Sequence, residues 1–358
     1  MRFHAPYMEW AKTRPTPALD LASSNILNCS IEDLDGACEA LSLSGHNDNG
    51  YAPLVDAIAK QYGVEPAQVT TANGAAGANF QVCAALLEPG DAVLVERPGY
   101  DPLLGAPRLL GAHVHRFDRR FEDRFALDPD RVARAMTPRT RLIIVTGPHN
   151  PTGAPTDPSA LADIGRIAAA SGAHVLVDEV YLDTMGSGAR PAAALGDPFI
   201  STSSLTKSYG LSGLRCGWSL SSPKLAARIL RTRDVIDGVG SIVAERLGVL
   251  AFSRLEHLKE RAALLLAANA PRVREFLRSR PELDAIEPTA GTVVFPRLRG
   301  VEDTSRFADR LLAERGTAIV PGRFFEAPAH FRLGFGGPTQ VVREGLAAVG
   351  AALDARAW

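Results

Sequence analysis

Three things are scarce in this chain, and each scarcity excludes something. There are only four cysteines in 358 residues, Cys29, Cys38, Cys83 and Cys216, and no two stand in a CxxC or other paired spacing. That excludes a disulfide framework and a zinc ribbon, and it points to reduced, packed thiols in a cytoplasmic protein. No metal site is expected. Long apolar runs are missing as well. The longest, residues 262–268, holds seven residues, far short of the ~18 that a bilayer span requires. Met1, Arg2, Phe3 and His4 open no apolar leader. Excess charge of either sign is absent: 39 basic against 40 acidic residues give a net charge of −1. Neither nucleic acid nor a charged membrane surface is an expected partner.

Lysine is scarce too, which makes its placement informative. Of the 39 basic residues only five are lysines, at 12, 60, 207, 224 and 259. Four sit in helical or exposed-looking contexts. Lys207 instead follows a β-like run, residues 199–204, and precedes a glycine-rich loop with Arg215 eight positions on. A deprotonated lysine on a flexible stem is the usual carbonyl-trapping amine. An arginine fork is the usual phosphate clamp. On residue type alone, a solvated lysine beside a loop is the plain alternative.

The length suits a two-domain α/β protein. Residues 92–96, 142–146 and 175–178 are short apolar runs closed by polar or turn residues, the pattern of buried parallel strands. Helical patterns lie between them at 75–87, 129–136 and 158–170. Asp157 and Pro158 supply a start, and Ser171 with Gly172 a stop. Strand and helix in alternation predict a doubly wound sheet, in which ligands bind outside the carboxyl ends of the strands. Beyond residue 220 the expected elements are helices at 223–233, 241–270, 271–280, 304–315 and 338–355, with strands at 291–295 and 317–320. That is the pattern of a smaller α+β domain.

The run Ser204-Leu205-Thr206-Lys207-Ser208-Tyr209-Gly210 through Arg215 resembles the active-site lysine motif of the class I/II aminotransferases. These are fold-type I enzymes that use pyridoxal 5′-phosphate (PLP). The resemblance covers roughly residues 46–336. It implies an α/β fold with a mostly parallel sheet sandwiched by helices, plus a smaller α+β domain. The implied divisions are an N-terminal arm (1–40) packing on the small domain, a large PLP domain (41–240) and a small C-terminal domain (241–358).

Other motifs fall into place around it. Asn73-Gly74-Ala75-Ala76-Gly77-Ala78 opens a helix, and a helix start with small residues favours a phosphate. By resemblance Gly74, Ala75 and Ala76 are backbone donors to the PLP phosphate, with Ser204 and Arg215 completing the cup. Tyr100, in Pro98-Gly99-Tyr100, stands where the family stacks an aromatic on the pyridine ring. Pro148-His149-Asn150-Pro151-Thr152-Gly153 matches the family's asparagine-proline-threonine-glycine turn, so that Asn150 offers its amide to the cofactor's phenolic oxygen. The asparagine common three positions earlier is Gly147 here, and His149 is a variant shared with relatives that include carbon–sulfur lyases.

Asp178 ends an apolar strand, where a buried carboxylate needs a positive partner. The family supplies the pyridinium nitrogen, with Tyr181 on the phenolic oxygen. Arg332, in Phe331-Arg332-Leu333-Gly334-Phe335, becomes the clamp on a substrate α-carboxylate. A salt bridge to Glu326 is its structural alternative. Ser24 and Asn25 match a loop that lines the substrate pocket. His46 stands where a tyrosine often reaches the neighbouring subunit's phosphate.

The resemblance implies a homodimeric, cytoplasmic aminotransferase working on an L-amino acid and a 2-oxo acid by ping-pong kinetics. Lys207 would act as general base and acid, supported by Asp178 and Tyr181. A carbon–sulfur β-lyase and an amino-acid decarboxylase use the same fold and cofactor. Arg233 or Asp237, depending on register, would set whether the substrate side chain is acidic or basic.

Overall fold

The computed structural model describes residues 4–186 and 188–356. Met1, Arg2 and Phe3, of the expected leaderless start, lie outside them. A seven-stranded sheet runs in the spatial order Val69–Asn73, Cys216–Leu220, Phe199–Ser204, His174–Asp178, Thr140–Thr146, Ala92–Arg97 and His113–Asp118. Cys216–Leu220 is antiparallel to both of its neighbours, and the other pairings are parallel. The continuous apolar strands are explained by burial on both faces. Leu142, Ile144 and Leu176 pack with Val82 and Cys83 of the helix Gly74–Leu86 on one face. Ile143, Val145, Val175 and Val177 pack with Leu161 and Ile164 of the helix Pro158–Ser171 on the other. The period of two along each strand separates the two cores.

Local punctuation does what its chemistry predicts. The Asp157 side chain accepts from the Ser159 N–H at the start of Pro158–Ser171, and Gly172 ends it in the left-handed region at φ 68°. Two expected boundaries differ. The helical stretch 241–270 is broken at Arg254 into Ile242–Ser253 and Leu255–Arg278. The break expected before Pro271 does not occur, and the second helix runs through that proline. A mid-helix proline costs about 3 kcal/mol. Burial of Val273, Phe276 and Leu277 in the C-terminal core lies just beyond it and offsets that cost. The strand expected at 291–295 shrinks to Val293–Val294.

That C-terminal core also takes in Phe307, Phe331, Leu333, Val342 and Val349, together with Leu21 from the N-terminal arm. The arm is tied there by parallel pairing of Leu19–Asp20 with Thr317–Ala318. Packing changes along the helix Leu255–Arg278: Leu255 and Leu258 join Leu54 and Trp218 beside the large sheet, whereas Val273 and Phe276 join the C-terminal core.

One ion pair is sealed inside the large sheet. Glu96 accepts from Arg119 Nη1 at 2.9 Å, with side chains 1% and 0% exposed. It also accepts from the Thr146 N–H at 2.7 Å and Oγ1 at 2.6 Å. Burial pushes the Glu96 carboxyl up, and Arg119 and Thr146 act against that. Removing one partner of a buried pair strands the other charge. Arg119→Met is therefore expected to lower unfolding free energy by about 3–5 kcal/mol in urea titration. A loss under about 1 kcal/mol, the range of an exposed pair, would contradict this.

Candidate active site

The carboxyl ends of the central strands open on a cavity of about 210 Å³. At one end the helix Gly74–Leu86 starts directly from the strand Val69–Asn73, with no side-chain cap on its first turn. Gly74 was expected as a phosphate donor, but its N–H is engaged by the Arg215 carbonyl at 2.7 Å. Its contribution is room: φ is 68°, and a Cβ there would run into the Arg215 guanidinium. The N–H groups of Ala75 and Ala76 begin the helix and both residues line the cavity, where the helix end favours an anion. Arg215 and Ser204 line it too. Among the described residues no hydrogen bond or ion pair engages the Arg215 guanidinium. Thr206 Oγ1, buried beside them, has no partner either.

Farther in stands Asp178, 5% exposed at the end of its strand. Its Oδ2 accepts from Asn79 Nδ2 at 2.8 Å and its Oδ1 from the Val180 N–H at 3.3 Å. The amide of Asn79 is oriented in turn by Thr202 Oγ1, which donates to Asn79 Oδ1 at 2.6 Å. Burial raises the Asp178 pKa, with these hydrogen bonds and Lys207 opposing. It is a buried acid without a close cation. Tyr100 lines the same space, and its hydroxyl reaches Met8 Sδ at 3.4 Å.

Lys207 Nζ donates to Asn25 Oδ1 at 2.7 Å and to Ser24 Oγ at 3.4 Å. Ser24 Oγ also accepts from the Tyr181 hydroxyl at 2.8 Å. The expected pocket loop thus holds both the lysine and the tyrosine. Burial and then the Arg332 charge bring the Lys207 amine down to about 8. Burial pushes the Tyr181 hydroxyl up to about 12, with Arg332 opposing.

Arg332 is fully buried. It donates to Asn150 Oδ1 at 2.9 Å, the Ala22 carbonyl at 2.9 Å and the Tyr7 hydroxyl at 2.7 Å, and its Nε has no partner. Glu326 is not its counter-ion, because it pairs with Arg116. With Oδ1 turned to Arg332, Asn150 keeps its NH₂ for a ligand. Its own N–H is fixed by Thr146 Oγ1 at 2.9 Å, which leads back to the Glu96–Arg119 pair. His149, beneath this turn, stays neutral: burial and then Arg119 lower its pKa far below the ordinary value.

Other expected residues lie apart. His46 is exposed. Arg233 is 1% exposed and turned into its own chain, donating to Thr71 Oγ1 at 2.9 Å with Asp237 at 3.4 Å. Sequence reasoning passed over Asn79, Thr206, Met8 and Tyr7. A lone amide in the small, apolar start of Gly74–Leu86 was a usable signal for Asn79. Tyr7 carried none, since it meets Arg332 across 325 positions of sequence.

A buried acid lacking a cation, a lysine with a lowered pKa, an arginine lacking an anion and an aromatic wall enclose one cavity. These residues fit a phosphorylated pyridine aldehyde, and among the described residues no cluster could hold a metal ion. The family model for "Aminotransferase class I and II" matches residues 20–349. Capreomycidine synthase of Streptomyces vinaceus is 32% identical, over 99% of this chain and 94% of its own. Among solved structures, a PLP-dependent aminotransferase from Streptococcus suis superposes with TM-score 0.93 at 26% identity, covering 99% of both chains. N-succinyldiaminopimelate aminotransferase from Mycobacterium tuberculosis gives 0.88 at 26% identity, covering 98% of this chain and 97% of that one. The chain belongs to the class I and II aminotransferase family. It is a PLP-dependent aminotransferase of fold type I.

The Lys207 pKa makes a kinetic prediction. A value lowered to about 8 leaves the amine mostly protonated below that pH and mostly neutral above it. The rate at which apoprotein captures added PLP, followed by absorbance, is expected to climb with pH and level off above about 8. A rate still climbing toward pH 10 would indicate an ordinary lysine.

Proposed function

We propose that this chain moves an amino group from an L-amino acid to a 2-oxo acid with Lys207 as its proton carrier. The observation that carries this reading is the convergence of Lys207, Asp178 and Arg215 on one cavity, with Arg332 bonded to Asn150 of its wall. Bound PLP supplies an electron sink for negative charge at the substrate Cα. Arg215, Ser204 and the helix start at Ala75 and Ala76 would hold its phosphate, Tyr100 its ring face, and Asn150 and Tyr181 its phenolic oxygen. Asp178, kept in orientation by Asn79, would hold a proton on its ring nitrogen. Arg332 takes the substrate α-carboxylate, which fixes the Cα–H bond relative to the lysine. The Lys207 Nζ, neutral at mildly alkaline pH, removes that proton and later returns it to the reacting system. Ser24 and Asn25 aim the amine.

The test is a single half-reaction. Holoenzyme given one amino acid and no oxo acid should release one equivalent of 2-oxo acid per active site and stop. A second oxo acid should restart it. Lys207→Ala should lose at least the 10²–10⁴-fold that general acid–base groups contribute, and a parental rate in that variant would sink the assignment.

A second reading has one observation in its favour: capreomycidine synthase, which aligns over 99% of the chain, is not named a transaminase. The same proton removal can be followed by loss of a group from Cβ. Continuous release of ammonia and oxo acid, with no second oxo acid present, would support elimination of the carbon–sulfur lyase kind. Carbon dioxide would support decarboxylation.

We further read the chain as a cytoplasmic homodimer, with its large domain at 41–240 and its small one at 241–358. Free thiols at Cys29, Cys38, Cys83 and Cys216 suit a reducing compartment. Leu43 and Val235 are 94% and 90% exposed, with Leu41, Ile236 and Val239 partly so. The segments carrying them interlock through Asn47 and the Gly240 carbonyl and through Arg231 and Asn49. Such a patch suits a self-complementary contact. It adjoins a cavity lined by Val239, Gly240 and Arg215, so the partner would close in beside the phosphate arginine. Leu43→Glu with Val235→Glu is expected to halve the mass seen by sedimentation equilibrium. An unchanged mass would place the interface elsewhere.

A further inference from the structure

The arm's first helix, Pro6–Thr13, brings one hydroxyl to Arg332. The Tyr7 hydroxyl accepts from Arg332 Nη2 at 2.7 Å, and its ring lies 5.3 Å from the guanidinium carbon. Accepting leaves its own proton free, and among the described residues no acceptor takes that proton. The Arg332 Nε is likewise without a partner. Two unpaired donors are therefore buried side by side, Arg332 fully and Tyr7 with 9% of its surface exposed. Buried donors left unpaired are costly, so the pair is built for a ligand rich in acceptors.

The placement of Tyr7 is rigid. Its N–H donates to Asp101 Oδ2 at 3.2 Å. Its ring packs edge-on to Tyr100 at 5.8 Å and tilted against Phe325 at 5.7 Å. The next residue, Met8, takes the Tyr100 hydroxyl and lines the cavity. The Ala22 carbonyl, the other Nη2 acceptor, has no proton to give. Tyr7 does.

We propose that Tyr7 is a second carboxylate-recognition residue: held by Arg332, its hydroxyl donates to the substrate α-carboxylate that the same arginine anchors. This deepens the assignment of Arg332 as the carboxylate clamp and rests on it. A two-oxygen anion takes the unused Arg332 donor and the tyrosine proton together. A substrate amine lacking the carboxylate would leave both unpaired, so Tyr7 sharpens selection for α-amino acids over simple amines.

The test compares the holoenzyme with Tyr7→Phe and Arg332→Lys. Each is measured for KM and kcat with its best L-amino acid, and for the dissociation constant of the unreactive α-methyl amino acid by change in cofactor absorbance. Phenylalanine preserves the ring contacts. Tyr7→Phe should raise KM and the dissociation constant about 10–100-fold, the effect of one hydrogen bond to a charged group. It should leave kcat within about threefold and cofactor content unchanged, a split that a packing role would not produce. Arg332→Lys should raise KM more. A parental KM in Tyr7→Phe, with Arg332→Lys impaired, would overturn the Tyr7 role and leave the clamp standing. A lowered KM in Tyr7→Phe would show the hydroxyl competing with substrate, and would also overturn it. A parental KM in Arg332→Lys would remove the clamp reading and this inference with it.

Discussion

Arg332 is fully buried, and among the described residues no carboxylate pairs with it. Its acceptors are an amide oxygen, a backbone carbonyl and a phenol, with the faces of Tyr7 and Phe325 at 5.3 and 5.1 Å. These neutral groups solvate the cation without neutralising it. Its field reaches the rest of the site. It helps to lower the Lys207 amine and acts against the rise of the Tyr181 hydroxyl. Among the described residues this cavity is lined by two cations, Lys207 and Arg215, and one acid, Asp178. Under the proposed function, ligands with anions at both ends would complete such a site, a phosphate near Arg215 and a carboxylate near Arg332.

The sheet explains why these charges can be held apart yet close. Asn150 follows one strand and Asp178 ends the adjacent parallel one, Thr146 pairing with Asp178 in register. Lys207 follows the next, where Asp178 pairs with Thr202. Parallel strands end on the same edge, so each turn delivers its side chain to one rim. The strand Phe199–Ser204 looks too polar for a buried centre, with four hydroxyl residues among six. Its hydroxyls are engaged instead: Thr202 orients Asn79, and Ser203 reaches the Glu179 carbonyl at 3.4 Å. Polarity there serves the acid next door, and the cost of burying it is met by those hydrogen bonds.

What could be read from sequence was local. Apolar runs closed by turn residues marked the strands 142–146 and 175–178, and the candidates were Asn150, in the turn after the first, and Asp178, at the end of the second. Lys207 stood out because lysine is rare here. The helix from Leu255 through Pro271 was misread because burial overrode a proline signal. Gly74 was misread in role because its partner, the Arg215 carbonyl, lies 141 positions later, just before a strand that only the folded sheet brings alongside. Neither the register that would choose between Arg233 and Asp237 nor the direction of Arg233 is legible in the sequence. No periodicity tells an inward arginine from an outward one when its acceptor is Thr71, across 162 positions.

The N-terminal arm shows the same limit in its strongest form. Its strand Leu19–Asp20 is pinned to Thr317–Ala318, and Gly334 donates back to the Leu21 carbonyl at 2.7 Å. That register sets Ala22 under Arg332 and places Ser24 and Asn25 against Lys207. The Thr292 hydroxyl donates to the Ser24 carbonyl at 2.8 Å, so the C-terminal part of the chain fixes the loop from its other side. One extended segment therefore touches Arg332 and Lys207 within four residues. A shift of the arm along its pairing partner would displace both together. The spacing between Arg332 and Lys207, the groups proposed to hold the substrate and take its proton, is thus tied to backbone hydrogen bonds of the arm.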